Sequence, residues 1–391
     1  MTTLLTRKAV RFLLIVGGGA LVAFLLWVAQ NVFNVAMPGT DTSPIEVRLI
    51  VAPAMADWVT EAAERFNAED QRLDRRPITI RVTAQDGLSV HSQINSGALR
   101  PAPSAWIAEG TFVLDLANLA ARQASGQNAF TTEGSVAQSV LMWGGFADRV
   151  AVIDARFGGL SWTALQGASS ASGWEALGGQ SAWGFFKLVL PDPRKNSAGL
   201  AALLSAAAEF HRKTELAATD ITNAPFEQWA QPLIDAVPNF ANLGNEPAQQ
   251  LSVRGQSAGD AGLLLESDWL MSAEGLSHRQ IAFRYAAAAV TFDFPFAVWT
   301  APEIATRVSG DTSQRQADQQ AARLFYQYLL ADAQQSRLDA FGLRRVSGGT
   351  GEQFVRWSAL GIQSGAPPTA NVRVSAEAVL AALHWVEQVI R

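Results

Sequence analysis

From Ile45 onward the chain switches repeatedly between a two-residue and a 3.6-residue hydrophobic period. Ile45, Val47, Leu49 and Val51 fall on every second position and predict a strand; Val59, Ala62, Ala63 and Phe66 form one stripe and predict a helix within 57–66. Ile78, Ile80 and Val82 return to the two-residue period, and a helix around 90–99 and a short apolar strand at 105–108 follow. Such alternation predicts a mainly parallel sheet covered by helices. A second α/β stretch begins after Trp143, Gly144 and Gly145. There Ser172 and Glu175 form a capping-box pattern for a short helix ended by Gly178 and Gly179. An apolar run at 185–190, a turn at Pro191 and Pro193, and an alanine-rich helix from about Ser197 come next. A strand at 261–265 runs into a helix start at Glu266, Ser267 and Asp268. The long apolar passage 286–299 suits a crossing between two bodies. Towards the C-terminus Ala321, Leu324, Phe325 and Tyr328 share a helical face, Leu338 and Phe341 precede a stop at Gly342, and 375–390 form a last amphipathic helix.

One stretch obeys neither period. Residues 12–29 carry no charge and no proline, and at about 1.5 Å per residue they nearly cross a hydrocarbon core of roughly 30 Å. Arg7, Lys8 and Arg11 precede this run and no Lys or Arg follows before Arg48, which places the N-terminus in the cytoplasm and the body outside. A cleaved leader competes with an uncleaved anchor. The length of the run and Asn34, which spoils an A-x-A site, favour the anchor. The chain of 391 residues has no cysteine, which excludes disulfides, thiol catalysis, Cys-based zinc sites and a lipid anchor on cysteine. Its net charge of −5 becomes −8 without the three basic residues before the apolar run, against nucleic acid as a partner. The length of the remaining body predicts two lobes.

Several segments in order resemble the bacterial extracellular solute-binding proteins of the type 2 periplasmic-binding-protein fold, especially the subgroup associated with von Willebrand A domain proteins. They are SAWIAEG at 104–110, GWEAL at 173–177, DPRKNSAGL at 192–200, FPF at 294–296, the helix end from Gln334 and Gln335 to Phe341 and Gly342, and the closing helix from Val379 to Trp385. The resemblance implies an α/β fold of two lobes joined by two crossing strands, with a solute between them and an ATP-driven permease as partner. The expected division is a cytoplasmic terminus at 1–11, a transmembrane anchor at 12–29, a tether at 30–44, lobe 1 at 45–140 and 292–391, and lobe 2 at 141–291.

In open α/β sheets ligands gather at the C-terminal ends of strands and at helix N-termini. Residues 52–57, Asp86 to Ser89 and Ala108 to Gly110 are such ends in lobe 1. Asn196, Ser197 and Gly199, then Glu266, Ser267 and Asp268, are their equivalents in lobe 2. The expected solute contacts are Asp86, Gly87, Ser89, Trp106, Glu109, Ser197 and Glu266. Each has a plainer reading: Ser197 and Ser89 as N-caps, Gly87 as a turn, Trp106 as core, the carboxylates as solvated or paired with Arg. In the relatives a serine where Ser197 stands often meets the solute, and a small hydroxyl residue stands where this chain has Glu109. Three carboxylates facing one cleft would repel an oxyanion and attract an amine or a metal ion.

His91, His211, His278 and His384 are scattered, and H-E-x-x-H, the phosphate-binding G-x-x-x-x-G-K and the G-x-S-x-G elbow are missing. No catalytic residue, metal ligand or cofactor is expected. The leading reading is a single-pass, membrane-anchored solute receptor that closes on a small solute for an ABC permease. The rivals are a solute-free interaction or regulatory protein with a surface partner such as a von Willebrand A protein, and a cleft enzyme.

Overall fold

The computed structural model describes residues 43–244, 246–301 and 312–390. The expected membrane helix, the cytoplasmic terminus and most of the tether lie outside these residues. Among the described residues no helix is long and apolar enough to cross a membrane.

The alternating residues of strand β1 (Ile45–Val51) pair in parallel with β3 (Arg76–Ala84), which is extended by a two-residue antiparallel strand, β2 (Arg72–Leu73). On its other edge β1 pairs in parallel with β4 (Ala105–Ile107). The passage 286–299 returns as β13 (Pro295–Trp299), wedged antiparallel between β4 and β5 (Phe130–Ser135), so the first sheet runs β2-β3-β1-β4-β13-β5. Ile45, Val47, Leu49 and Val51 are all at most 1 % exposed. Burying such side chains contributes about 1.5–3 kcal/mol each. The helix Ala56–Ala68 covers this sheet with the predicted stripe plus Trp58, whose Nε1 donates to the Gln334 carbonyl at 3.2 Å. Phe66 meets Phe325 edge-on at 5.3 Å from the helix Thr312–Leu330. Leu324, expected on that buried face, is exposed, because the sheet is met by Ala321, Ala322 and Phe325 instead.

The second sheet is built on β6 (Ser139–Phe146), buried along its whole length. It pairs antiparallel with β9 (Ala261–Leu265) and β10 (Ile281–Tyr285), and β9 pairs in parallel with β7 (Leu188–Val189), giving β10-β6-β9-β7. Gly144 is required here: a Cβ would lie 2.5 Å from the indole of Trp269, whose Nε1 donates to the Met142 carbonyl at 2.9 Å. The predicted capping box does not form. Gly173 caps the short turn Trp174–Leu177, and no side chain bonds its first turn.

The stretch between β5 and β6 links the lobes, as does the passage through β12 (Thr291–Phe292), which pairs with β6, into β13. Between them Phe294 takes φ of 36°, sparsely populated for a bulky residue. The C-terminal stretch, expected with lobe 1, departs from that division. β14 (Ala370–Asn371) pairs with β11 (Ala288–Ala289), and β15 (Arg373–Val374) pairs with β8 (Glu215–Leu216). The last helix, Ala376–Val389, then lies against Thr111–Ser125 of lobe 1 and both Ser197–His211 and Ala218–Ile221 of lobe 2.

Candidate functional site

The loops leaving β1, β3 and β4 open on the same edge of the first sheet, because these strands are parallel neighbours. The loops leaving β7 and β9 do the same for the second. The two edges face each other.

Asp86 ends the loop after β3 and caps the helix Gly87–Asn95, its Oδ1 accepting from the Leu88 N–H at 2.9 Å. The same carboxylate reaches the other lobe. Oδ2 accepts from the Ser197 N–H at 2.9 Å, and the Ser197 hydroxyl donates to Oδ1 at 2.8 Å. Ser197 is not the cap of its helix, Ser197–His211; Asn196 caps it by accepting from the Gly199 N–H at 3.0 Å. Ser197 thus turns a free backbone N–H and its hydroxyl towards lobe 1, at a helix end carrying roughly half a positive charge. Asp86 occupies this anion-binding end, as a carboxylate ligand would.

Glu109 lies beneath that contact, 4 % exposed, its Oε1 accepting from the Gly87 N–H at 2.9 Å while Oε2 has no hydrogen-bond partner among the described residues. Burial, and then the Asp86 charge, push its carboxyl well above the ordinary range. Burial raises Asp86 too, but three donated hydrogen bonds oppose the rise. The pair therefore holds its charge on Asp86 and its proton on Glu109. Gly87 makes this stacking possible, since a Cβ there would sit 2.2 Å from Val113 Cγ1 and 2.6 Å from Glu109 Oε2. Gly87→Ala is expected to lower stability by about 1–3 kcal/mol, read from urea unfolding. An unchanged midpoint would show that the loop is loose.

The other expected contacts divide. Ser89 is exposed, and its hydroxyl accepts from Gln85 Nε2 at 3.0 Å. Trp106 is core: it is fully buried on central strand β4 and packs against Phe130 at 5.2 Å. Glu266 is buried completely and belongs to a second link. Arg344 grips it with Nε at 2.6 Å from Oε2 and Nη2 at 2.8 Å from Oε1, and the Tyr285 hydroxyl also donates to Oε1. Arg344 further donates to the carbonyls of Gln363 and Gly365 and lies over the Phe354 ring. Its backbone pairs with Gln138 in the segment between the sheets. Neither Arg344 nor Tyr285 was singled out in the sequence; only the fold brings them to Glu266.

One strand away from the Asp86–Ser197 contact, in both sheets, a cavity of about 730 Å³ separates the lobes. Ala54 after β1 and Asp57 in the first turn of the helix Ala56–Ala68 face Ser267 and Asp268 in the helix start after β9. The model of the bacterial extracellular solute-binding proteins matches residues 47–344. The chain belongs to this family. The structure of this solute-binding protein is similar to the ferric binding protein from Campylobacter jejuni (TM-score 0.57, 10 % identity, 88 % of this chain and 99 % of that one). It is similar also to iron-bound HitA from Pseudomonas aeruginosa (0.55, 13 %, 89 % and 100 %). A periplasmic thiamin binding protein gives 0.55 at 13 % identity, over 91 % and 98 % of the two chains. At these identities the likeness establishes the two-lobed periplasmic-binding-protein fold. A search of curated sequences gives no match.

Proposed function

We propose that the protein is an extracytoplasmic receptor that closes its two lobes on a small solute and presents it to an ATP-driven permease. The apolar run 12–29 holds it to the membrane. The observation that carries this reading is the cavity of about 730 Å³ lined by strand-end loops of both lobes, within the roughly 300–1,000 Å³ usual for small-molecule sites. The Asp86 to Ser197 bond is the latch of the closed form. On opening, the Ser197 N–H and hydroxyl and the Asp86 carboxylate come free together, and closure restores them, so a solute that spans the lobes selects the latched state. The cleft at Ser197 is filled by a carboxylate rather than by large apolar side chains, which favours a receptor over a solute-free interaction protein.

A thermal-shift screen of the full chain against amines, metal ions, oxyanions, sugars and amino acids tests this reading. A solute that binds only the folded state raises the melting temperature as its concentration exceeds Kd. No shift with any class, together with co-purification of a surface partner such as a von Willebrand A protein, would sink it.

A further inference from the structure

The inter-lobe cavity is charged with one sign. Asp57 contributes from lobe 1 and Glu246 and Asp268 from lobe 2, and among the described residues no Lys, Arg or His lines it. Arg279 donates its guanidinium to the carbonyls of Ser252 and Val253 and is not part of the lining. The Asp268 carboxyl accepts no hydrogen bond among the described residues. Burial and then the Glu246 charge push it up to about 7. Two further features point to an occupant. Ser267 lines the same space at 2 % exposure, its hydroxyl without a hydrogen-bond partner among the described residues. Val253 and Met271, on the cavity wall, are 67 % and 55 % exposed, apolar surface that a ligand body would cover. Among the described residues no three Asp, Glu or His side chains are placed to hold a metal ion. A bare metal therefore suits the site less well than a larger cation.

We propose that this cavity takes an organic cation, with ammonium groups held by Asp57, Glu246 and Asp268 and an apolar body against Val253 and Met271. The inference rests on the receptor reading and names its solute class. Carboxylates on both walls let one cation draw the lobes together, and the Ser267 hydroxyl accepts from an ammonium hydrogen. A bound ammonium beside the carboxylate offsets both the burial and the Glu246 charge that raise Asp268, so binding at neutral pH releases protons.

Calorimetric titration of the full chain with spermidine and with phenethylamine, against citrate and maltose as anionic and neutral probes, tests it. At least one amine is expected to bind, with a binding enthalpy at pH 7 that depends on buffer ionisation enthalpy. Asp268→Asn should weaken the amine about tenfold or more and remove the buffer dependence, and Asp57→Asn should weaken it without removing that dependence. Binding of citrate or maltose with neither amine bound would overturn the cation inference and leave the receptor standing. Binding of none of the four probes, with no shift in the wider solute screen, would overturn both.

Discussion

Glu266→Ala is expected to destabilise the protein by about 3–5 kcal/mol, the cost of leaving one member of a buried ion pair uncompensated. Arg344 is 5 % exposed and Glu266 wholly buried, so neither charge can recover its hydration when the other is removed. Arg344 would keep the carbonyls of Gln363 and Gly365 but lose both carboxylate oxygens, and Tyr285 would lose its acceptor. Removing both charges, as Glu266→Leu with Arg344→Met, should recover part of the loss, since a buried pair often gains little over apolar packing. Recovery stays partial because the two carbonyls lose their donor. Urea unfolding of the two single variants and the double variant measures this, and an E266A midpoint equal to that of the native chain would refute the buried pair.

The second large effect is a stability that falls as pH rises above the ordinary carboxylate value. Glu109 holds in the folded state a proton that the unfolded chain has released, so the native state binds more protons over the window between the ordinary carboxylate value and its raised one. Stability then decreases with pH across that window. Asp268 has the same sign between 3.8 and about 7. His91 opposes them, its pKa lowered chiefly by burial, but only below its ordinary value of 6.5. Asp192 and Asp220, held low, act only in acid. Glu109→Gln keeps an acceptor for the Gly87 N–H and has no proton to lose. Its unfolding midpoint should exceed the native one at pH 8 and approach or fall below it at pH 5. Parallel pH profiles for the two chains would show that Glu109 is ionised in the fold.

What the sequence displayed and what it hid divide along one line. Strands β1 and β3 and the helix Ala56–Ala68 were legible because each buries one face against its own lobe, which writes a period into the residues, whereas β9 and the helix Ser197–His211, buried nearly all round, showed only as an apolar and an alanine-rich run. The run 185–190 was only partly so: just Leu188–Val189 pairs, and Phe185 stays 69 % exposed. Trp106 follows its plainer reading as core rather than the solute contact, which the residues alone left open because a three-residue strand carries no period and nothing local shows that β13 covers its other side. Asp86, Glu109 and Ser197 were flagged at strand ends, but not that Asp86 would bond Ser197 with Glu109 beneath them. Asp86 and Ser197 are 111 residues apart, and Arg344 is 78 from Glu266. Such pairs leave no local pattern. Asp57 and Asp268 lay at flagged strand ends, whereas nothing marked Glu246.

The last helix, Ala376–Val389, ties these observations to movement. Its Trp385 ring stands 5.5 Å from Phe226 of lobe 2, its other flank lies on Thr111–Ser125 of lobe 1, and Arg194 donates to the Ile390 carbonyl at 3.0 Å. A helix fastened to both halves acts as a leaf spring across the joint. If the lobes open as proposed, wide gaping would shear one of its two apolar seams, so the expected movement is a short flexure rather than a free swing.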